Sequence, residues 1–201
     1  MSDPKPKTKA AQRIATMQTL LHLGRDLFAQ HGYTAVSMEE LVQQAGVTRG
    51  ALYHHFGSKE GLFRAVVELL QAEVAQRILS ASQAQPEAWG QLLAGCRAFL
   101  EASLDPAIQR IVLVDAPAVL GWEAWRQMDE AQGGQLLYEV LNRLAAEGRI
   151  KPLPLTALHH LLSGAMNEAA LWIAQADDPQ QALHESTIAL EGLLGPLQVA
   201  G

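Results

Sequence analysis

Apolar residues recur at intervals of three and four along most of this chain, the spacing that places them on one face of an α-helix. Ile14, Met17, Leu21, Gly24, Leu27 and Phe28 predict a first helix over residues 10–31, stopped by a left-handed Gly32. Ser37, followed three residues later by Glu40, predicts a capping box and a short second helix to residue 44. Gly46 supplies the positive φ of a tight turn, and Thr48 caps a third short helix over residues 49–55. Gly57 and Ser58 repeat the stop and the cap. Leu62, Phe63, Val66, Val67, Leu70, Val74 and Ile78 then form the long stripe of a fourth helix.

Later breaks fall at Gln85-Pro86, Asp105-Pro106, Ala116-Pro117, residues 148–154 and Asp178-Pro179, leaving four or five more helices between them. Gly133-Gly134 lies inside one of these, over residues 122–147, and predicts a kink. Composition agrees with an all-α fold: Leu and Ala number 63, whereas Val, Ile and Thr number 25. Residues 1–9 alternate lysine with proline and polar side chains, which predicts a flexible basic arm.

About half of the 201 residues are hydrophobic, yet no apolar run approaches the roughly 18–20 residues of a membrane helix. Nor does the N-terminus carry the apolar stretch of a signal peptide, so the expectation is a cytoplasmic protein without a membrane partner. Cys96 is the single cysteine; it forms no internal disulfide or thiolate cluster and reads as a small buried residue. Net charge is −6, but residues 1–64 carry +3 and residues 65–201 carry −9. A basic N-terminal third on an acidic protein points to a polyanion at that end.

Two short helices joined by a glycine turn form a helix-turn-helix, whose second helix enters the major groove of DNA. Thr48, Arg49, Gly50, Tyr53 and His54 give that helix hydrogen-bond donors and a small exposed residue near its N-terminus. Arginine reads guanine with two hydrogen bonds, and glycine lets the backbone approach base edges. The run from Ser37 to Leu62, with its glycine turn, its Leu52-Tyr53-His54-His55-Phe56 block and its Ser58-Lys59-Glu60 cap, resembles the DNA-binding signature of the tetracycline-repressor family, and Phe28-Ala29-Gln30-His31-Gly32-Tyr33 matches as well.

That resemblance implies an all-helical homodimer, most often a repressor, that binds a DNA operator and is released by a small-molecule effector; no cofactor, metal or catalytic residue is expected. It divides the chain into the arm at 1–9, a DNA-binding domain at 10–58 and an effector-binding and dimerisation domain at 59–201. It places Arg49, Gly50 and Ala51 on bases and Tyr53 and His54 at the boundary of base and phosphate. Thr48 and Lys59 are placed on phosphates, with Ser37 and His55 completing the set. Leu41, Val42, Val47, Leu52 and Phe56 would fix the two helices against Phe28.

The C-terminal part carries weaker signals. Trp89, Phe99, Trp122, Trp125, Met128, Tyr138, Leu141 and Met166 are candidates for an apolar effector pocket, with Arg97, Arg110 or Asn167 fixing a polar group. The last two predicted helices, over residues 155–175 and 179–194, are apolar on more than one face. Leu158, Leu161, Leu162, Ala165, Ala169 and Trp172, with Leu190, Leu193 and Leu194, are the expected two-fold interface. Such a dimer would set two recognition helices about one DNA turn, roughly 34 Å, apart on a pseudo-palindrome.

An enzyme reading lacks support, because no nucleophile, acid and base occur in a recognisable local arrangement. His159, His160 and Glu168 match no metal-ligand spacing, adjacent helical histidines pointing about 100° apart. The alternative is a helical ligand-binding or scaffolding dimer without DNA, which leaves the basic N-terminal third unexplained.

Overall fold

The computed structural model describes residues 9–199, so the predicted arm lies almost wholly outside the described residues. α1 (Lys9–Ala35) is interrupted at Gly32 (φ 77°, ψ 163°), the predicted stop. α2 (Met38–Ala45) starts on Ser37, whose Oγ accepts the Glu40 N–H at 3.0 Å. Only this half of the capping box forms, because the Glu40 carboxylate accepts from Gln44 Nε2 instead. Gly46 is left-handed, and α3 (Arg49–Phe56) starts on Thr48, whose Oγ1 accepts the Ala51 N–H at 3.2 Å. Ser58 caps α4 (Lys59–Gln83) through the Gly61 N–H.

Phe28, Phe63 and Tyr33 pack edge to face and tilted at the centre of this unit, with Leu20, Leu41, Leu52 and Leu62 fully buried around them. Ile14 and Met17, expected on the buried face of the first helix, are exposed: the helix begins before the elements it packs on. Gly61 admits no larger residue without displacing backbone, since a β-carbon there would collide with the Phe56 carbonyl oxygen. α3 and α4 are held at this corner by that close approach.

The first half of α4 belongs to this core, and its second half packs on α5 (Ala88–Ala102). A π-helical segment, Ile108–Asp115, runs into α6 (Ala116–Leu120). Pro117 therefore sits in a first helical turn rather than at a break, and the chain turns at Gly121 (φ 84°). α7 (Trp122–Asp129), a π-helical Glu130–Gly134 and α8 (Gln135–Ala146) follow, the wide turn falling at the predicted glycine kink. α9 (Leu155–Gln175) and α10 (Pro179–Leu194) match their predicted spans, α10 starting on Asp178. Among the described residues the only β-pairing is an isolated bridge between Ile150 and Gln198, so the fold is all-α as expected.

A second core joins Leu92, Leu100, Leu141 and Leu144 to the inward face of α9 and α10. That face corrects the expected dimer set. Leu158, Leu162, Leu190 and Leu194 are buried within this chain, because two packed helices spend one apolar stripe on their own core. Leu161 (72 % exposed), Ala165, Trp172 and Leu193 point outward, joined by Ile188, while Ala169 is half-buried at the edge.

Candidate functional site

The exposed face of α3 carries most of the predicted DNA-reading residues. Arg49, Gly50, Tyr53 and His54 are exposed, and Ala51 and His55 are half-buried beside them. Arg49 lies over the Tyr53 ring, 5.5 Å from its centroid, and pairs loosely with Glu39 of α2 at 3.3 Å. Both partners are solvent-exposed, so the pair costs little to exchange for a base edge or a phosphate. Burial holds His55 below the ordinary imidazole range, with Arg13 and His54 pushing the same way. Ser37 and Thr48 are exposed at the N-termini of α2 and α3, where side-chain and backbone donors face outward.

Lys59 does something the sequence did not indicate. Its Nζ donates to the Val36 carbonyl at 2.7 Å and lies 4.2 Å from the Tyr33 ring centroid, and burial lowers its pKa. The ammonium thus braces the α1–α2 connection against α4. Arg110 is also displaced from its predicted role. Its guanidinium crosses Gly32, where a β-carbon would strike it, and its Nε pairs with Asp115 Oδ2 at 3.3 Å. The same oxygen accepts the Tyr33 N–H at 2.8 Å, so Asp115 ties the N-terminal unit to the π-helical segment.

A cavity of about 420 Å³ opens between the second half of α4, α5, α8 and α9. Ile78, Leu92, Phe99, Leu136, Val140 and Met166 supply its apolar wall. Its space comes from small residues: Ser82, Gly95, Cys96, Gly133 and Gly134 all border it. Burial pushes the Cys96 thiol up to about 12, so it stays a neutral thiol there. Arg143 and Gln91, hydrogen-bonded to each other, and Glu139 bring polar groups to the lining.

Of the predicted pocket residues, Phe99 and Met166 line this cavity, while Phe99, Trp125 and Asn167 line a smaller chamber beside it. Leu141 is core, Trp89 packs at the edge of the second core, Met128 packs on the first, and Trp122 and Tyr138 are exposed. Arg97 is exposed and pairs with Glu101. Glu130, His159 and His160 bring ligand atoms within 4.8 Å of one another, but His159 Nε2 faces the Gly134 carbonyl at 3.1 Å and Glu130 at 3.4 Å. In the tautomer protonated at Nε2, His159 shares its ring N–H between those two oxygens.

Comparison with known proteins covers both halves of the chain. Residues 20–66 match the family described as bacterial regulatory proteins, tetR family, and residues 89–197 match the tetracyclin repressor-like C-terminal domain. The crystal structure of a TetR-family transcriptional regulator from Pectobacterium atrosepticum is 39 % identical, with a TM-score of 0.82 over 96 % of this chain and 99 % of that one. The transposon Tn10 TetC protein of Escherichia coli is 26 % identical over 150 residues, 75 % of this chain and 76 % of its own. The HTH-type transcriptional repressor AcnR of Corynebacterium diphtheriae is 28 % identical over 163 residues, 80 % of this chain and 82 % of its own.

Proposed function

The chain belongs to the tetracycline-repressor family of DNA-binding transcriptional regulators, and from that premise we propose how its own residues do the work. Two copies associate through the outward stripe of Leu161, Ala165, Trp172, Ile188 and Leu193, and present paired α3 helices to a pseudo-palindromic operator. Arg49 reads a base, Gly50 and Ala51 allow close approach, and Tyr53, His54, Ser37 and Thr48 hold the backbone. An effector with a largely apolar body fills the 420 Å³ cavity and releases the operator.

One observation carries this reading. α4 supplies Leu62 and Phe63 to the core beneath the recognition helix, and Ile78, Leu79 and Ser82 to the cavity wall. Whatever fills the cavity therefore presses on the helix that sets the position of α3, and differential affinity for two positions of α4 is all that release requires. On the same reading the DNA-binding unit spans residues 10–58 and the effector and dimerisation unit residues 59–201, with α4 shared between them. A scaffold without DNA leaves the exposed Arg49–Tyr53 surface without a use.

The test is binding of the purified protein to the DNA flanking its own gene at two salt concentrations. Tight, site-selective binding that weakens with salt, at two protomers per site, is expected. Weak and sequence-blind binding, both there and in a random-sequence selection, would overturn the reading.

A further inference from the structure

We infer that the effector carries a neutral group that both donates and accepts hydrogen bonds, and that Gln71 and Trp125 receive it in the small chamber beside the main cavity. This rests on the reading of the main cavity as the effector site and specifies the chemistry selected there. The chamber has room for about 30 Å³ and shares Phe99, Asp129 and Gly133 with the larger space. Gln71 of α4 and Trp125 of α7 are only 5 % and 2 % exposed and both line it. Gln71 Nε2 and Oε1 and Trp125 Nε1 are buried without a hydrogen-bond partner.

Buried polar atoms are nearly always paired, and each unpaired one carries its full desolvation cost. Three of them around one chamber therefore mark a place where something else completes the bonding. Apolar side chains of similar size would pack there without that cost.

The atoms also define the partner. Gln71 offers an NH2 group with two donor hydrogens and an acceptor oxygen, and Trp125 offers one N–H donor. A carboxylate would accept from both N–H groups but set its charge against Gln71 Oε1 and the Asp129 carboxylate. Asp129 is already matched, its Oδ2 accepting from Arg126 Nη1 at 2.7 Å and from Asn167 Nδ2 at 3.0 Å. An ammonium would suit Gln71 Oε1 and leave the donor nitrogens Gln71 Nε2 and Trp125 Nε1 facing a cation. A carboxamide, or a hydroxyl, satisfies donors and acceptor together, with its apolar body against Ile78, Leu92, Phe99 and Met166.

The experiment is calorimetric titration of the full-length chain with 2-naphthamide, 2-naphthoate and naphthalene, on the wild type, Gln71→Met and Trp125→Phe. The wild type is expected to prefer the amide over the other two by about tenfold or more. Gln71→Met is expected to abolish that preference, to bind naphthalene at least as well, and to melt at a higher temperature when unliganded. A merely structural glutamine would give the reverse thermal shift. Equal binding of amide and naphthalene by the wild type would show a chamber that holds only water, and tighter binding of naphthoate would show an anion site. Either result overturns the inference and leaves the cavity reading standing. Binding of none of the three would overturn both. Should Gln71→Met fail to fold, Trp125→Phe must still lower the amide preference, and an unchanged preference refutes the assignment.

Discussion

The break in α1 sets up a direct test of how the N-terminal unit is held on the rest of the molecule. Gly32 has φ 77° and ψ 163°, a region open essentially only to glycine, and a residue forced into it bears about 1–3 kcal/mol of strain. A β-carbon at this position would also strike the Arg110 guanidinium, but that is the far end of a flexible, half-exposed side chain. Swinging it away loses an ion pair worth less than about 1 kcal/mol. Gly32→Ala is therefore expected to cost about 1–3 kcal/mol, with backbone strain as the larger part, or a fall of roughly 2–12 °C in Tm for a chain of this length. Urea unfolding at one fixed protein concentration, on Gly32→Ala, Arg110→Ala and the double variant, separates the two contributions. Most of the cost should persist when Arg110 is already alanine. Loss of the cost in that background would show that the collision, not the φ angle, fixes glycine here, and a neutral Gly32→Ala would refute both arguments. Because the residue after the break donates to Asp115, operator affinity should fall together with stability.

Three further outcomes follow from the geometry. Arg49→Ala should lose about 1–3 kcal/mol of operator binding and relax specificity at one base pair; equal discrimination before and after in a competition assay would remove Arg49 from base reading. Lys59→Met should lower thermal stability by about 1 kcal/mol through loss of the bond to Val36, while leaving the salt dependence of DNA binding intact; a flatter slope of log affinity against log salt would return Lys59 to the phosphates. Trp172→Glu should halve the sedimentation mass with the helical content unchanged, because the indole is half-exposed on the outward stripe; an unchanged mass would place the dimer elsewhere.

The DNA-reading end was legible because its signals are local. Ser37, Gly46, Thr48, Gly57 and Ser58 each act within one turn of the chain, and each takes the role that its type and spacing imply. Lys59 was legible as a cation but not as a brace, because its partners, Val36 and Tyr33, are brought to it only by the packing of α1 against α4. The outer helices show a second limit. α9 and α10 carry two apolar stripes each, and periodicity cannot say that Leu162 turns inward while Leu161 turns outward. The cavity shows a third. The aromatic residues Trp89, Trp122 and Tyr138 border neither the cavity nor the chamber beside it, because a void is created by side chains that are missing. Gly95, Cys96 and Gly133 were the signal, and Gln71, buried on an apolar stripe of α4, was the polar residue out of place.

The glycines that hollow out the cavity also determine how readily its shape can change. A methyl group added at Gly133 would meet only the Ile78 Cδ1 atom, at 3.8 Å, an ordinary contact, whereas one at Gly95 would press on Ser82 Oγ at 2.8 Å. Position 133 can thus trim the space one carbon at a time while the rest of the wall stays put. A glycine codon is one nucleotide from an alanine codon. On the proposed reading of the cavity as the effector site, descendants of this regulator can therefore change what they sense by a single point mutation, far from the residues proposed to read DNA.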